Sequence, residues 1–375
     1  MEGLLFYRGC QIKKNGIFRM IKETLHQFIA GTAQDMSVIE SCSVDLVVTS
    51  PPYPMIEMWD EIFSLQNPKI KYALQENNGF LAFELMHLEL DQVWKEVARV
   101  IAPGGFVCIN IGDATRTINE NFSLYPNHSR IIQSFQKLGF TNLPSILWRK
   151  QTNAPNKFMG SGMLPSGAYV TLEHEWILIF RKGYKRKFIK NLEKEKRRAS
   201  SFFWEERNTW FSDIWELKGV KQKMDQPRTR QRTAAYPFEI PYRLINMYSL
   251  QDDVILDPFL GTGTTSLAAI SSKRNSIGFE IDTVLLESAI NRSLLTPISQ
   301  LNSRVESRIT GHQEFIQKRE LDQSKYAMKH YNEAISMPVM TSQETQIQLF
   351  LVDGVERKNN EIIASHRPLN MFQHY

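Results

Sequence analysis

The chain has 375 residues, 42% of them apolar and 23% charged, with a formal net charge of +5. That is room for one large domain, or two to three smaller ones, around a substantial core. No apolar run reaches the about 18 residues of a membrane span, no signal-peptide core opens the chain, and the scattered Cys10, Cys42 and Cys108 make neither a disulfide framework nor a zinc site, so a cytoplasmic protein without a metal is expected.

Residues 1–25 mix basic and apolar positions without a motif. Residues 27–30 read as a short strand ending at Gly31, and residues 35–41 as a short helix. Then an apolar run, Leu46-Val47-Val48, stops at Ser50-Pro51-Pro52-Tyr53. Aliphatic residues bounded by prolines predict a buried strand and its exit turn. Two consecutive prolines fix φ twice and remove two N–H donors, so the turn's carbonyls are held stiffly. A hydroxyl, rigid carbonyls and an aromatic ring thus meet at a strand's C-terminal end, where open α/β sheets bind ligands. That set suits the exocyclic amine of a nucleobase, whose lone pair is conjugated into the ring. Two acceptors on its N–H groups draw the nitrogen toward tetrahedral geometry. Ser50 and the Pro51 carbonyl are the candidate acceptors, and Tyr53 is a stacking surface for a flipped base. A strand-to-loop turn without chemistry shows the same proline signal.

Residues 88–101 have helical apolar spacing, with apolar side chains at 90, 93, 94, 97, 100 and 101. Pro103-Gly104-Gly105 is read as the turn that ends the helix, and residues 106–113 as the next strand, a βαβ crossover. Residues 129–138 read as a helix ended by Gly139, and strands at 145–148 and 175–180 are expected to pair. Trp59, just after the proline turn, is a candidate base or DNA contact.

Whole-chain charge says little about nucleic acid, but its placement says more. Residues 181–232 hold 17 Lys plus Arg against 7 Asp plus Glu, a surplus of ten, so the rest of the chain is net acidic. Phe202, Phe203, Trp204, Trp210, Phe211 and Trp215 lie among the basic clusters. Basic runs with interleaved aromatics predict a nucleic-acid face, and Lys218, Lys221, Lys223, Arg228, Arg230 and Arg232 are its candidate DNA contacts. A solvated insertion whose aromatics form a small core is the alternative.

Downstream, residues 254–256 lead through Asp257-Pro258-Phe259 into Gly261-Thr262-Gly263-Thr264, and a helix over 266–272 follows. Glycines permit close ligand approach, and a helix N-terminus offers free N–H groups. A second short strand over residues 276–282 ends in an acid, and its Glu280 lies 17 residues past Gly263, near the roughly 20-residue offset at which an acid meets ribose hydroxyls. Residues 284–295 read as a helix against the sheet. Residues 314–335 read as a polar helix, and residues 346–352 as a strand before an Asp353-Gly354 turn, suggesting a small hairpin.

These motifs resemble the amino-DNA-methyltransferase family. Ser50-Pro51-Pro52-Tyr53 is similar to its catalytic tetrapeptide, and the stretch from Asp257 through Gly261 and Gly263 to its S-adenosylmethionine motif. The catalytic motif comes first here, as in the permuted β group. Serine at the first tetrapeptide position is typical of members that methylate cytosine N4, and aspartate of adenine N6. The absence of a Pro-Cys pair argues against cytosine-C5 chemistry. The resemblance covers roughly residues 26–296. It implies a doubly wound, mostly parallel Rossmann-like α/β sheet. Residues 1–185 form its catalytic half, 186–232 a target-recognition insertion, 233–296 the cofactor-binding half, and 297–375 an extension without an assigned role. The cofactor is S-adenosylmethionine, contacted by Asp257, Pro258, Phe259, Gly261, Gly263 and Thr264, with Glu280 on its ribose and Tyr236 and Pro237 closing over its methionine end. A Trp-x-Lys and Asn/Pro loop, here Lys150, Asn153, Pro155, Asn156, Gly160 and Gly162, lies near the flipped base. In the family a Gly-Asp pair near the adenine follows the first strand; Gly31-Thr32 departs from it, with Asp35 three residues on. The expected substrate is duplex DNA with a flipped cytosine, and a companion restriction endonuclease follows from family habit. Adenine-N6 methylation by the same machinery is the nearest rival; a non-catalytic DNA-binding protein and an RNA or protein methyltransferase are others.

Overall fold

The computed structural model describes residues 23–150, 159–219, 236–322, 327–358 and 361–369. A ten-stranded sheet is built from β1 (Glu23–Ala30), β2 (Val44–Thr49), β3 (Ile101–Ile111), β4 (Phe140–Arg149), β5 (His174–Lys182), β6 (Ile214–Glu216), β7 (Val254–Asp257), β8 (Asn275–Glu280), β9 (Phe350–Lys358) and β10 (Glu361–Pro368). Their spatial order is β6-β4-β5-β3-β2-β7-β8-β1-β10-β9. The central strands β3, β2, β7, β8 and β1 are mutually parallel. The β5 strand runs antiparallel between β3 and β4, pairing with β4 as expected, and β10 and β9 add antiparallel strands beyond β1.

Helices cover both faces, as near-continuous apolar strands require. On one face lie α1 (Asp60–Gln66), α2 (Pro68–Gln75), α3 (Gly79–Val100) and α4 (Asn127–Lys137), whose core includes Trp94, Phe135 and Phe180. In the basic segment are α5 (Asn191–Ala199) and α6 (Trp204–Trp210). The opposite face is covered by α7 (Glu239–Tyr248) and α8 (Thr264–Ser271), packed with Ile240, Ile245 and Ala268. Then α9 (Thr283–Leu295) lies against the sheet and α10 (Ile298–Leu321) follows it. No helix among the described residues is long and apolar enough to cross a membrane.

Several local expectations are corrected. The helix expected from 88 begins at Gly79, where Asn78 caps it by accepting from the Leu81 N–H at 3.1 Å. Residues 35–41 form turns rather than a helix. Side chains of α3 hold them: Arg99 donates to the Met36 and Ile39 carbonyls, and Glu96 accepts the Met36 N–H. Pro103-Gly104-Gly105 lies inside β3, where the register against β2 shifts between Val44 and Leu46. It is a bulge, and Gly104 (φ +82°) lets Arg186 pass so closely that a Cβ would sit 2.6 Å from its backbone nitrogen. The polar helix expected over 314–335 runs instead over Ile298–Leu321, and residues 330–335 fall in a short hairpin of His330–Asn332 with Met337–Val339. Asp353-Gly354 is likewise a bulge within β9, and the β9–β10 connection passes through residues 359–360, outside the described residues.

Three of the six aromatics singled out in the basic segment are core, while Trp204 and Phe211 are exposed. Phe203, Trp210 and Trp215 are buried, and Phe203 stacks on His312 of α10 at 4.1 Å. Glu206 of α6 takes two hydrogen bonds from Arg308 of α10 at 2.6 and 2.9 Å. Part of the charge is internal too. Arg186 pairs with Asp253 at 2.8 Å, and Lys182 donates to the Ala98 and Ile101 carbonyls where α3 meets β3.

Candidate active site

The β2 and β7 strands are neighbours, with Leu46 opposite Ile255 and Val47 opposite Leu256. That register brings the proline turn and the glycine turn, far apart in sequence, to the same sheet edge. A buried bond ties the two exits together: Thr49 Oγ1 donates to Asp257 Oδ1 at 2.7 Å.

On the β2 side, Ser50 and Tyr53 are half-buried and Pro51 is buried. The Ser50 Oγ lies 3.1 Å from the Tyr53 hydroxyl. That hydroxyl donates to Glu175 Oε2 at 2.9 Å and receives the Asn110 amide at 2.8 Å. Asn110 also donates to Glu175 Oε2 at 2.6 Å, and Lys150 donates to Glu175 Oε1. Burial, with the Glu175 carboxylate beside it, pushes the Tyr53 phenol well above its ordinary range. Its ring seats on Gly112, where a Cβ would come within 3.0 Å of the ring. Asn127 fixes the far side of the turn by donating to the Pro54 and Gly112 carbonyls. Trp59 packs against the core next to the turn.

On the β7 side, Gly263 (φ +76°) opens α8. The left-handed backbone at this position favours glycine, and a Cβ would also press on Ala289 at 3.0 Å. Glu280 Oε2 accepts the Gly261 N–H at 2.8 Å, and Oε1 accepts the Asp282 N–H at 3.0 Å. The end of β1 adjoins it, with the Gly31 N–H donating to the Glu280 carbonyl at 2.9 Å. Among the described residues, a Cβ on Gly31 would meet nothing within 4 Å, and one on Gly261 only the Phe259 carbonyl at 4.0 Å. Open space with an acid and a helix N-terminus at its edge fits a nucleoside-bearing cofactor.

Other expected cofactor residues point inward. Asp257 is buried, accepts from Thr49, Thr265 and the Phe259 N–H, and has its carboxyl pushed up to about 6 by burial. Tyr236 is buried with its hydroxyl bonded to Thr265, and Pro237 is buried beside it. Thr264 Oγ1 receives Arg292 at 3.1 Å. Pro258 is buried, while Phe259 meets Trp94 edge-on. Lys218 is exposed after β6; Lys221, Lys223, Arg228, Arg230 and Arg232 lie outside the described residues, as do Asn153, Pro155 and Asn156.

Sequence reasoning missed Asn110 and Glu175. Their signal was a polar residue inside an apolar run, in Ile109-Asn110-Ile111 and before Trp176-Ile177-Leu178. A polar side chain there is buried and needs a partner.

Comparison with known proteins agrees with this geometry. The N6/N4 methylase family model, described as a DNA methylase, matches residues 44–291. The chain is 50% identical over 354 residues to the Type II methyltransferase M.MthZI of Methanothermobacter thermautotrophicus, covering 93% of this chain and 97% of that one. It is 55% identical over 270 residues to the Type II methyltransferase M.MjaI of Methanocaldococcus jannaschii, covering 69% and 88%. Among solved structures, TTHA0409 of Thermus thermophilus, complexed with S-adenosyl-L-methionine, superposes with a TM-score of 0.53 at 31% identity over 71% of this chain and 92% of that one. The PvuII cytosine-N4-specific DNA methyltransferase shares the fold, with a TM-score of 0.51 at 16% identity over 77% of this chain and 97% of that one. The chain therefore belongs to the N6/N4 DNA methylase family and is a DNA methyltransferase.

Proposed function

We propose that the protein transfers the methyl group of S-adenosylmethionine to N4 of cytosine in duplex DNA, as the modification member of a restriction–modification pair. The observation that carries this reading is the Thr49–Asp257 bond, which sets the amine-activating turn beside the glycine turn. The serine of Ser50-Pro51-Pro52-Tyr53 supports cytosine N4, through its likeness to members of that specificity. The Type II names of the relatives support the restriction–modification pairing.

When bound, S-adenosylmethionine would supply an electrophilic methyl carbon: the N–C bond to the amine would form as the sulfonium S–C bond breaks and a thioether leaves, and the methylated amine would then give up one proton to water. Glu280 holds the ribose hydroxyls, with one oxygen kept on the Gly261 N–H so that the glycine turn and the acid move as one. Gly261, Gly263 and the start of α8 line the open space. Pro258, Phe259, Thr264, Asp257, Tyr236 and Pro237 act from behind by bracing that turn. Ser50 Oγ and the Pro51 carbonyl accept the two amine hydrogens and draw the nitrogen lone pair out of conjugation. Tyr53 stacks on the base after it leaves the duplex. Displacement at an activated methyl needs positioning more than a strong base.

Lys218, with Lys221, Lys223, Arg228, Arg230 and Arg232, supplies phosphate contacts to the DNA. Residues 186–232 form the target-recognition insertion, between a catalytic half at 1–185 and a cofactor half at 233–296. The extension at 297–375 braces the insertion, a role supported by the Glu206–Arg308 pair. Labelled S-adenosylmethionine with mixed-sequence duplex DNA, digested to nucleosides and read by mass spectrometry, tests the reading. N4-methylcytosine is expected. N6-methyladenine would overturn the base assignment, and unlabelled DNA with cofactor bound would overturn the DNA substrate.

A further inference from the structure

Glu175 stands 122 residues from Tyr53 in sequence, on β5, yet it is the acceptor for the Tyr53 hydroxyl. Among the described residues, three groups surround that hydroxyl: Asn110 Nδ2 at 2.8 Å, Glu175 Oε2 at 2.9 Å and Ser50 Oγ at 3.1 Å. An amide nitrogen only donates, and an ion-paired carboxylate only accepts. The 2.9 Å contact between Tyr53 and Glu175 is a hydrogen bond only with the phenolic hydrogen pointing to Glu175, which leaves the Tyr53 oxygen as an acceptor. Ser50 then has one way to bond to Tyr53, by donating. With its own hydrogen committed, Ser50 presents only lone pairs to whatever lies in front of it.

The same neighbours prevent reversal. Lys150 occupies the other Glu175 oxygen. Asn110 could flip only by turning its carbonyl oxygen onto the Glu175 carboxylate, and that oxygen is buried without a partner among the described residues. A buried acceptor left unbonded is costly, and here it leaves the donor end of the amide on the chain of hydroxyls.

We propose that Glu175, held by Lys150 and Asn110, is a positioning residue that sets the direction of hydrogen bonding through Tyr53, so that Ser50 faces the target amine as an acceptor only. This rests on the reading of Ser50 as the amine acceptor. Without a carboxylate at this position, the Tyr53 hydrogen is free to turn to Ser50. The Ser50 hydrogen would then oppose the amine N–H.

The test is a double-mutant cycle on the full chain, with tritiated S-adenosylmethionine and mixed-sequence duplex DNA. Glu175→Gln is expected to lower the single-turnover rate about 10- to 100-fold, with affinity for cofactor and DNA within about twofold of the parent. In a Tyr53→Phe background, which has no hydroxyl to orient, Glu175→Gln is expected to cost less than about twofold. An equal cost in both backgrounds, or an undiminished rate for Glu175→Gln alone, overturns the proposal. If Glu175→Gln does not fold, Asn110→Leu gives the same reading through its lost donor and must also be non-additive with Tyr53→Phe. Ser50→Ala, run alongside, separates the two levels. Full activity there sinks the acceptor reading itself. An inactive Ser50→Ala with an additive Glu175→Gln sinks only the role of Glu175.

Discussion

The turn after β2 and the turn after β7 sit side by side, yet they are held by opposite means. The proline turn depends on distant elements: Asn110 from β3, Glu175 from β5 and Lys150 just past β4 converge on Tyr53 and Ser50. The glycine turn is held by nearer elements, with Asp257 at the end of its own strand accepting the Phe259 N–H and Glu280 of the adjoining β8 accepting the Gly261 N–H. The chemistry of an amine acceptor depends on where hydrogens point, and that needs several fixed neighbours. A nucleoside cradle depends on backbone shape, and that can be specified within a few residues.

The comparison predicts that damage to the first turn removes rate and damage to the second removes affinity or stability. The largest effect is expected for Ser50→Ala. Loss of one group aimed at the reacting centre costs about 100- to 1000-fold, and the measurement is kcat with cofactor affinity held near the parent value. A large loss of cofactor affinity instead would erase the distinction between the turns.

A second prediction calibrates the scaffold, away from both turns. His26 of β1 and His366 of β10 share Thr24 Oγ1, and burial lowers the first ring to about 3 and the second to about 4. Unfolded, each ring takes a proton below about 6.5; folded, it stays neutral until far lower. The unfolded chain therefore binds more protons between about pH 6.5 and 4, and stability falls as pH falls through that window. At pH 5.5 each histidine is expected to cost roughly 1.4 kcal/mol relative to neutral pH, read from urea unfolding. A flat profile would show that the seam between β1 and β10 opens without full unfolding.

Next comes Glu280→Ala, which frees the Gly261 and Asp282 N–H groups. S-adenosylmethionine affinity is expected to fall about 10- to 50-fold, with the rate at saturating cofactor preserved within a few-fold. Titration calorimetry and a saturating-cofactor assay separate the two. The smallest effect is expected for Asp257→Asn, which turns one acceptor into a donor between Thr49, Thr265 and the Phe259 N–H. A loss of about 1–2 kcal/mol in unfolding free energy is expected, modest because burial already disfavours the charge it removes. If this variant keeps its stability yet loses rate more than Ser50→Ala, the bridge between the turns matters to chemistry more than either turn alone.

Legibility divided along similar lines. Both turns, the strands that feed them and the helices over 127–137, 264–271 and 283–295 were readable, because apolar period, prolines and glycines act over a few residues. The Pro103-Gly104-Gly105 and Asp353-Gly354 signals were misread as turns, since a bulge uses the same residues and only the neighbouring strand tells them apart. Residues 35–41 look helical, but Arg99 and Glu96 give their backbone better partners than a helix would. Phe203 and Trp210, among basic residues, look like part of a nucleic-acid face until α10 packs against them.

By itself the sequence determined the family, the two turns and their order, because each is written in a short run whose backbone preferences are local. Only the tertiary structure decided that Thr49 and Asp257 join the turns, that Asp257 and Tyr236 face inward, and that Asn110 and Glu175 orient Tyr53. Those outcomes depend on which strands lie side by side and in what register, and a hydrogen bond across that register joins Thr49 to a residue 208 positions away.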